Sequence, residues 1–246
     1  MRYFDSHLHL RAPTPAGWTE FLSIVDRARD MVGANLILNS QEEVDFALSR
    51  AAELPPHVRL VPPLASRKTL RDDARVSGWF KIHPRFHGIT RAAVPAIVEE
   101  LVADPPRGLV VCCYPWGALG EPYVSVELVA GLAQALPTVP ILATHGGGYE
   151  SWALRAHTTG LSNVLYDFAV SMKYYEGSDL LRPFLEYIRY RSDQIVFGSD
   201  WPSADAAPQL EVCCTLADEV GISRAELEDL LLRNSARVWP ETSTAP

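Results

Sequence analysis

Apolar and polar positions alternate along this chain with two different periods. Short runs of β-branched and aliphatic residues take turns, from one end to the other, with longer stretches in which apolar positions recur every three or four residues. The short runs predict strands at Tyr3–His9, Asn35–Asn39, Val58–Val61, Trp79–His83, Leu109–Cys113, Ile141–His145, Val164–Phe168 and Ile195–Ser199. The longer stretches predict helices at Gly17–Met31, Glu42–Glu53, Arg91–Ala103, Val124–Leu136, Tyr149–Thr158, Asp179–Tyr190 and Ala207–Val220. Ser66–Arg75, after the third strand, is short and polar and makes a weak helix. A last helix opens at Ser223 with Glu226 three residues on, a capping box, and continues through Leu227, Leu230 and Leu231.

Strands alternating with helices build parallel sheets from βαβ units. About eight strands is the number that closes an α/β fold of the (β/α)8, or TIM, barrel type. The expectation is such a barrel, irregular around its third helix and carrying an extra C-terminal helix. No linker, low-complexity stretch or charge block divides the chain, so residues 1–246 read as one barrel domain, with 241–246 as a frayed end. An open doubly wound sheet would show the same alternation, but the first strand leads into Leu8-His9-Leu10-Arg11-Ala12-Pro13 and not into a glycine-rich phosphate loop. Polar residues at the C-terminal ends of several strands, where barrels carry their active sites, favour the barrel.

Composition narrows the partners. Of the 246 residues 48% are apolar and 21% charged, enough to bury a large core. Lys plus Arg is 22 against 30 Asp plus Glu, a formal net charge of −8, and no basic stripe interrupts the sequence. Nucleic acid is therefore not an expected partner. No charged-then-apolar leader pattern opens the chain, and no apolar run approaches the ~18 residues of a membrane span, so a cytoplasmic protein without membrane contact is expected. The cysteines form two adjacent pairs, Cys112-Cys113 and Cys213-Cys214, poorly placed to staple distant segments and read as reduced.

Candidate chemistry sits at the strand ends. In Asp5-Ser6-His7-Leu8-His9 the two histidines are two apart on a strand, face the same side and can hold one ion between their imidazoles, although core hydrogen bonds would also accommodate them. Ile195-Val196-Phe197-Gly198-Ser199-Asp200-Trp201-Pro202 is an apolar run that stops at an acid, suited to ligate a metal and take a proton from water, or simply to cap the next turn. Ile141-Leu142-Ala143-Thr144-His145-Gly146-Gly147-Gly148 ends in a histidine able to act as ligand, general acid or electrostatic stabiliser.

These segments, together with Gly78-Trp79-Phe80-Lys81-Ile82-His83-Pro84-Arg85-Phe86 and Asn234-Ser235-Ala236-Arg237-Val238-Trp239, resemble the amidohydrolase superfamily. Within it they are most similar to the amidohydrolase-2 group, which includes the aminocarboxymuconate-semialdehyde decarboxylase-like enzymes. The resemblance spans residues 5 to 239. It implies metal-ligand places for His7, His9 and Asp200, and for His145 that of a catalytic histidine or fourth imidazole. One divalent ion is implied, with zinc the first expectation for such an N/O site.

The chain departs from the group's pattern at strand five, where Cys113 aligns with the usual ligand histidine. Cys113 is then either a thiolate ligand or the mark of a weakened or metal-free site. Lys81 shares parity with His83 and is expected to pair with a barrel carboxylate, while His83 touches substrate. Arg85 and Arg11 are candidate anchors for a substrate carboxylate, and Trp201, Trp116, Tyr114 and Tyr149 candidate pocket walls. The expected function is metal-dependent hydrolysis of a small-molecule amide, lactone or related carbonyl bond, with Asp200 and His145 catalytic. The alternatives are non-oxidative decarboxylation and a metal-free or degenerate member. The sequence leaves room for a homodimer and does not name the substrate.

Overall fold

A computed structural model describes residues 1–114 and 124–239. Among the described residues eight parallel strands follow one another: β1 (Tyr3–Leu8), β2 (Met31–Ile37), β3 (Val58–Val61), β4 (Trp79–Ile82), β5 (Gly108–Val111), β6 (Ile141–Ala143), β7 (Val164–Asp167) and β8 (Ile195–Val196). They pair in chain order as two arcs, β1 to β3 and β4 to β8. Hydrogen bonds close both seams. Lys81 N donates to Pro62 O between β3 and β4, while Ser6 N donates to Phe197 O, Asp200 N to His7 O and His9 N to Trp201 O between β1 and the segment after β8. The fold is the α/β barrel class expected from the alternation, with the ladder thinned at its seams.

Helices α1 (Pro15–Arg27), α2 (Gln41–Ser49), α3 (Arg67–Leu70), α4 (Val94–Ala103), α5 (Ser125–Ala135), α6 (Ser151–Thr158), α7 (Ser171–Tyr175), α8 (Arg182–Arg191) and α9 (Ala206–Val220) cover the strands. α3 shrinks to one turn, as its polar sequence suggested, and α7 is an addition too short to show a helical period. Two further helices, α10 (Arg224–Glu228) and α11 (Asn234–Val238), join through a π-turn at Asp229–Arg233. At α10 the capping box forms, with Ser223 Oγ accepting from Glu226 N and Glu226 Oε2 from Ser223 N. Strand ends fall short of the sequence expectation by two residues at β6 and three at β8, because the chain leaves the ladder as soon as it reaches the polar residues that turn into the mouth.

One side chain from each strand fills the N-terminal end of the barrel: Phe4, Ile37, Val61, Trp79, Val110, Leu142, Leu165 and Val196. Trp239, after α11, seals this layer, stacked on Phe4 with ring centroids 5.3 Å apart and tilted against Trp79 at 4.4 Å. Residues of opposite parity, such as Phe80, Leu109, Val111 and Tyr166, pack outward beneath the helices. Both faces of the strands are thus buried, which is why they read as near-continuous apolar runs. Above the sealed layer, the inward positions become polar.

Candidate active site

β1 would place Ser6 and Leu8 inward if it alternated strictly from Phe4. Its pairing with β2 is irregular between Asp5 and Leu8, and this switches the parity. Leu8 therefore packs outward while His7 and His9 both face the mouth, their Nε2 atoms 3.1 Å apart. Gly198 makes room for this arrangement, since an added Cβ there would lie 2.8 Å from His7 Cβ and 3.4 Å from Asp167 Cβ. Asp200 follows in the left-handed region at φ 61°. Its Oδ1 lies 3.5 Å from both His7 Nε2 and His9 Nε2. His145, also left-handed at φ 57°, brings its ring within 5.0 Å of that of His7. The structure thus gathers His7, His9, His145 and Asp200 at the C-terminal mouth.

Partners set the protonation of the three imidazoles. Carboxylate and carbonyl oxygens accept hydrogen bonds, so the Nδ1 atoms of His7, His9 and His145 donate to Asp167 Oδ2 at 3.1 Å, Ile37 O at 2.9 Å and Ala169 O at 3.1 Å. Each then turns an Nε2 lone pair towards the site. Burial alone would push the His7 imidazolium down, but Asp167 and Asp200 outweigh it and its pKa is raised. Burial, aided by Lys81, holds His9 well below the usual histidine range, and burial also lowers His145.

Asp167, fully buried, is a residue that sequence reasoning missed. Burial would raise its pKa, yet the charge and hydrogen bonds of His7 and the amide of His145 lower it overall. It also accepts from Ala169 N at 3.1 Å. The missed signal was of the same kind as that for Asp200: an apolar run, Val164-Leu165-Tyr166, stopping at an acid.

These donors fit a divalent cation. Two imidazole lone pairs and a carboxylate oxygen converge, and His7, His9 and Asp200 offer ligand atoms all within 4.8 Å of one another. Three converging acceptors repel unless a positive species lies between them. Tetrahedral zinc with Zn–N near 2.0–2.1 Å has ligand edges of about 3.4 Å, close to the 3.1 and 3.5 Å separations. His7, His145 and Asp167 form a second such group.

Cys113 is not brought to this group. β5 turns Val110 inward, so Cys112 occupies the inward position and Cys113 lies in the outer apolar layer, 1% exposed, with its Sγ 3.7 Å from Val111 O. Burial raises its pKa well above the usual thiol range. The expectation of a thiolate ligand at Cys113 is corrected accordingly. Burial also raises the Cys112 thiol, against a partial opposing effect of Lys81.

Lys81 reaches the mouth, but its Nζ donates to Asn39 Oδ1 at 2.7 Å and not directly to a carboxylate. Trp201 also departs from expectation. It is 3% exposed and packs outward against Phe21, with Arg11 over its ring at 5.8 Å. Arg11 is ion-paired to Glu20 at 2.9 Å. Trp201 therefore does not line the mouth, and Arg11 is engaged by Glu20 and Trp201. His83 and Arg85 do line a narrow cleft with Cys112, Tyr114 and Tyr149. His83 stacks on Phe86 at 3.8 Å, Arg85 lies 4.7 Å over the Tyr114 ring, and burial pushes His83 down to about 3. Trp116 and the segment 241–246 fall outside the described residues.

A parallel barrel that gathers His7, His9 and Asp200 into a group able to hold a metal ion has the arrangement in which barrel enzymes carry their active sites. A family model described as amidohydrolase, of the amidohydrolase-2 group, matches residues 80–240. The chain belongs to that family. Its fold is similar over 98% of its length to an uncharacterised TIM-barrel protein from Bordetella bronchiseptica, at 12% identity, with 99% of that chain covered and a TM-score of 0.72. It is likewise similar to amidohydrolase 2 from Bifidobacterium longum subsp. infantis, at 16% identity over 98% of this chain and 99% of that one, with a TM-score of 0.61. A third structure, of an amidohydrolase II, covers 97% of this chain and 99% of its own at 14% identity, with a TM-score of 0.64. No curated protein matches the chain. Family membership makes the protein a hydrolase or decarboxylase-type enzyme of the superfamily. Among the described residues, no helix is long and apolar enough to cross a membrane.

Proposed function

We propose that this protein is a metal-dependent hydrolase that opens an amide, lactone or related carbonyl bond in a small cytoplasmic molecule. The observation carrying this reading is the convergence of the His7 and His9 Nε2 atoms with Asp200 Oδ1 at the barrel mouth. His7 and His9 would hold the ion with Asp200, and His145 and Asp167 stand next to them. A bound divalent ion would polarise the carbonyl and bring the pKa of water towards neutrality.

The remaining work falls to the chain. Asp200, buried beside His7 and His9, is placed to accept the proton of the attacking water and return it to the leaving group. Asp167 holds the His7 ring in the tautomer that presents Nε2. His145 donates from Nδ1 to Ala169 O and in its neutral form offers the site an acceptor, so a ligand or base role suits it better than donation to an oxyanion. His83 and Arg85, in the adjoining cleft, are placed to bind the substrate's polar end.

The test is metal analysis with a substrate panel. After zinc loading and dialysis, the wild type is expected to retain about one ion per chain and to turn over at least one member of a lactone and amide panel. His7→Ala should lose the ion, and Asp200→Asn should lose ~10²-fold or more in turnover. A wild type that retains no metal, or turnover that survives both substitutions, would sink the proposal.

A further inference from the structure

In a parallel pair of strands, backbone amides find carbonyl acceptors at even intervals. Between β1 and the segment after β8 that series is interrupted. Ser6 N donates to Phe197 O at 2.9 Å and Asp200 N to His7 O at 2.8 Å. Between these two bonds, Ser199 N donates to a side chain, Asp5 Oδ1, at 3.0 Å, where an unbroken ladder would offer a main-chain carbonyl. The same oxygen accepts from His7 N at 3.1 Å. The interruption coincides with the irregular register of β1 between Asp5 and Leu8, the departure that turns His7 and His9 to the mouth.

Asp5 is fully buried, and its second oxygen, Oδ2, has no hydrogen-bond partner among the described residues. Taking a carboxylate out of water is costly, so packing alone would favour an apolar side chain at this place. What the carboxyl supplies is one oxygen shared by two backbones. One of them is that of His7 itself, and the other belongs to the residue immediately before Asp200. One step further along, Asp200 N and His7 O bind the same two backbones to each other. Their side chains then meet at the mouth, with His7 Nε2 3.5 Å from Asp200 Oδ1.

We propose that Asp5 is a positioning residue of the cation site: by holding the amides of His7 and Ser199 on one oxygen, it sets how far apart the His7 and Asp200 side chains stand, and with that the affinity for the ion. This role rests on the hydrolase reading, in which His7 and Asp200 hold one ion. It requires an acceptor at the place of Oδ1 and not a negative charge. A carboxamide oxygen, which also accepts two hydrogen bonds, can replace it.

Chelator competition for zinc, with the visible spectrum of the cobalt-substituted protein, tests this. Asp5→Asn keeps the acceptor and should bind zinc within about threefold of the wild type, with an unchanged cobalt spectrum. Asp5→Ala loses the acceptor, and Asp5→Glu keeps the charge but displaces the oxygen by a methylene. Each should bind zinc about tenfold or more weakly, with an altered cobalt spectrum. Asn163→Ala separates lost stability from lost positioning, because Asn163 Nδ2 donates to the carbonyls of Ala133, Leu136 and Val139 at the other end of the barrel. It should lower Tm and leave zinc affinity within about twofold. Should Asp5→Ala fail to fold, the contrast between Asp5→Asn and Asp5→Glu decides. Wild-type affinity and spectrum in Asp5→Glu, weakening by Asp5→Asn equal to that by Asp5→Glu, or an equal loss in Asn163→Ala would overturn the proposal alone. A wild type that retains no zinc would overturn the hydrolase reading with it.

Discussion

Substituting Gly198 by alanine tests how tightly the mouth is built. The new methyl would lie 2.8 Å from His7 Cβ, 3.2 Å from Ser6 Oγ and 3.4 Å from Asp167 Cβ. Carbon atoms rest at ~3.5–4.0 Å, so the His7 contact is short by about 0.7 Å or more. The obstacle is a Cβ on a backbone fixed from both sides, with Ser6 N donating to Phe197 O at 2.9 Å and Asp200 N to His7 O at 2.8 Å. It cannot swing away as a flexible side-chain tip would. The seam between β1 and the segment after β8 has to open, and overpacking of this sort costs about 1–3 kcal/mol. For a chain of this length, that corresponds to a fall of about 2–12 °C in Tm.

Function should suffer more than stability. A ligand moved by ~0.7 Å exceeds the ~0.2 Å tolerance of metal–ligand distances. Zinc affinity is therefore expected to fall roughly 10–100-fold, and turnover on a responsive substrate about 10²-fold. Competition with a chromophoric chelator measures the affinity, a steady-state assay the turnover, and a thermal melt the loss of stability. Gly131→Ala, within α5, is the matched control: its nearest neighbours would be Val98 Cγ2 at 3.6 Å and Val94 Cγ1 at 3.7 Å, both in α4, so stability should hold or rise and zinc affinity stay unchanged. If Gly198→Ala binds zinc like the wild type and melts with Gly131→Ala, the packing argument is wrong.

Asp167→Asn should lower zinc affinity about 10–100-fold, because an amide nitrogen would face one of the three donors and the His7 tautomer would no longer be held; unchanged affinity in a folded variant would refute that. His83, held down at about 3, stays neutral in the folded chain while the unfolded chain protonates below ~6.5, so stability rises with pH between these values and is lost on acidification. At pH 4.5 the loss is about 2–3 kcal/mol, and urea unfolding of His83→Gln should show a pH dependence flatter by that amount. Cys113→Ser should cost about 1–3 kcal/mol by placing a hydroxyl in the outer apolar layer and leave zinc affinity alone, whereas Cys112→Ser should perturb the mouth; zinc loss confined to Cys113→Ser would reverse the assignment.

Much of this was legible in the sequence because burial on both strand faces leaves an unmistakable apolar run. Eight runs gave eight strands, and polar residues at their ends gave the mouth. Parity was harder. At Leu109-Val110-Val111-Cys112-Cys113 every residue is apolar or small, so nothing in the pattern says which set faces inward, and Cys113 looked as good as Cys112. Trp201 misled for a related reason: after β8 the chain is bonded to β1 through Trp201 O, which leaves the indole on the helix side against Phe21. Asp167 was missed although its signal equalled that of Asp200, because no neighbouring motif drew attention to it.

Counting from the sealed inner layer shows where sequence logic ends. Two residues beyond Ile37, Trp79, Val110, Leu165 and Val196 stand Asn39, Lys81, Cys112, Asp167 and Gly198, the polar or small second storey of the barrel, and two beyond Lys81 and Gly198 stand His83 and Asp200. The three imidazoles at the mouth break the count. From Phe4 it predicts Ser6 and Leu8, and from Leu142 it predicts Thr144. His7 and His9 enter through the irregular register of β1, and His145 through a backbone in the left-handed region at φ 57°. Alternation can place a carboxylate or a lysine above a packed layer, and it sets His7 and His9 on one side of β1, but it does not say which side that is. Local departures from regular geometry turn the imidazoles to the mouth, at a conformational cost that the surrounding hydrogen bonds must offset. The same departures make the pairing of His7 with His9 readable from their spacing, since a bulge shifts both together, while their common direction depends on a backbone irregularity that no side-chain pattern records.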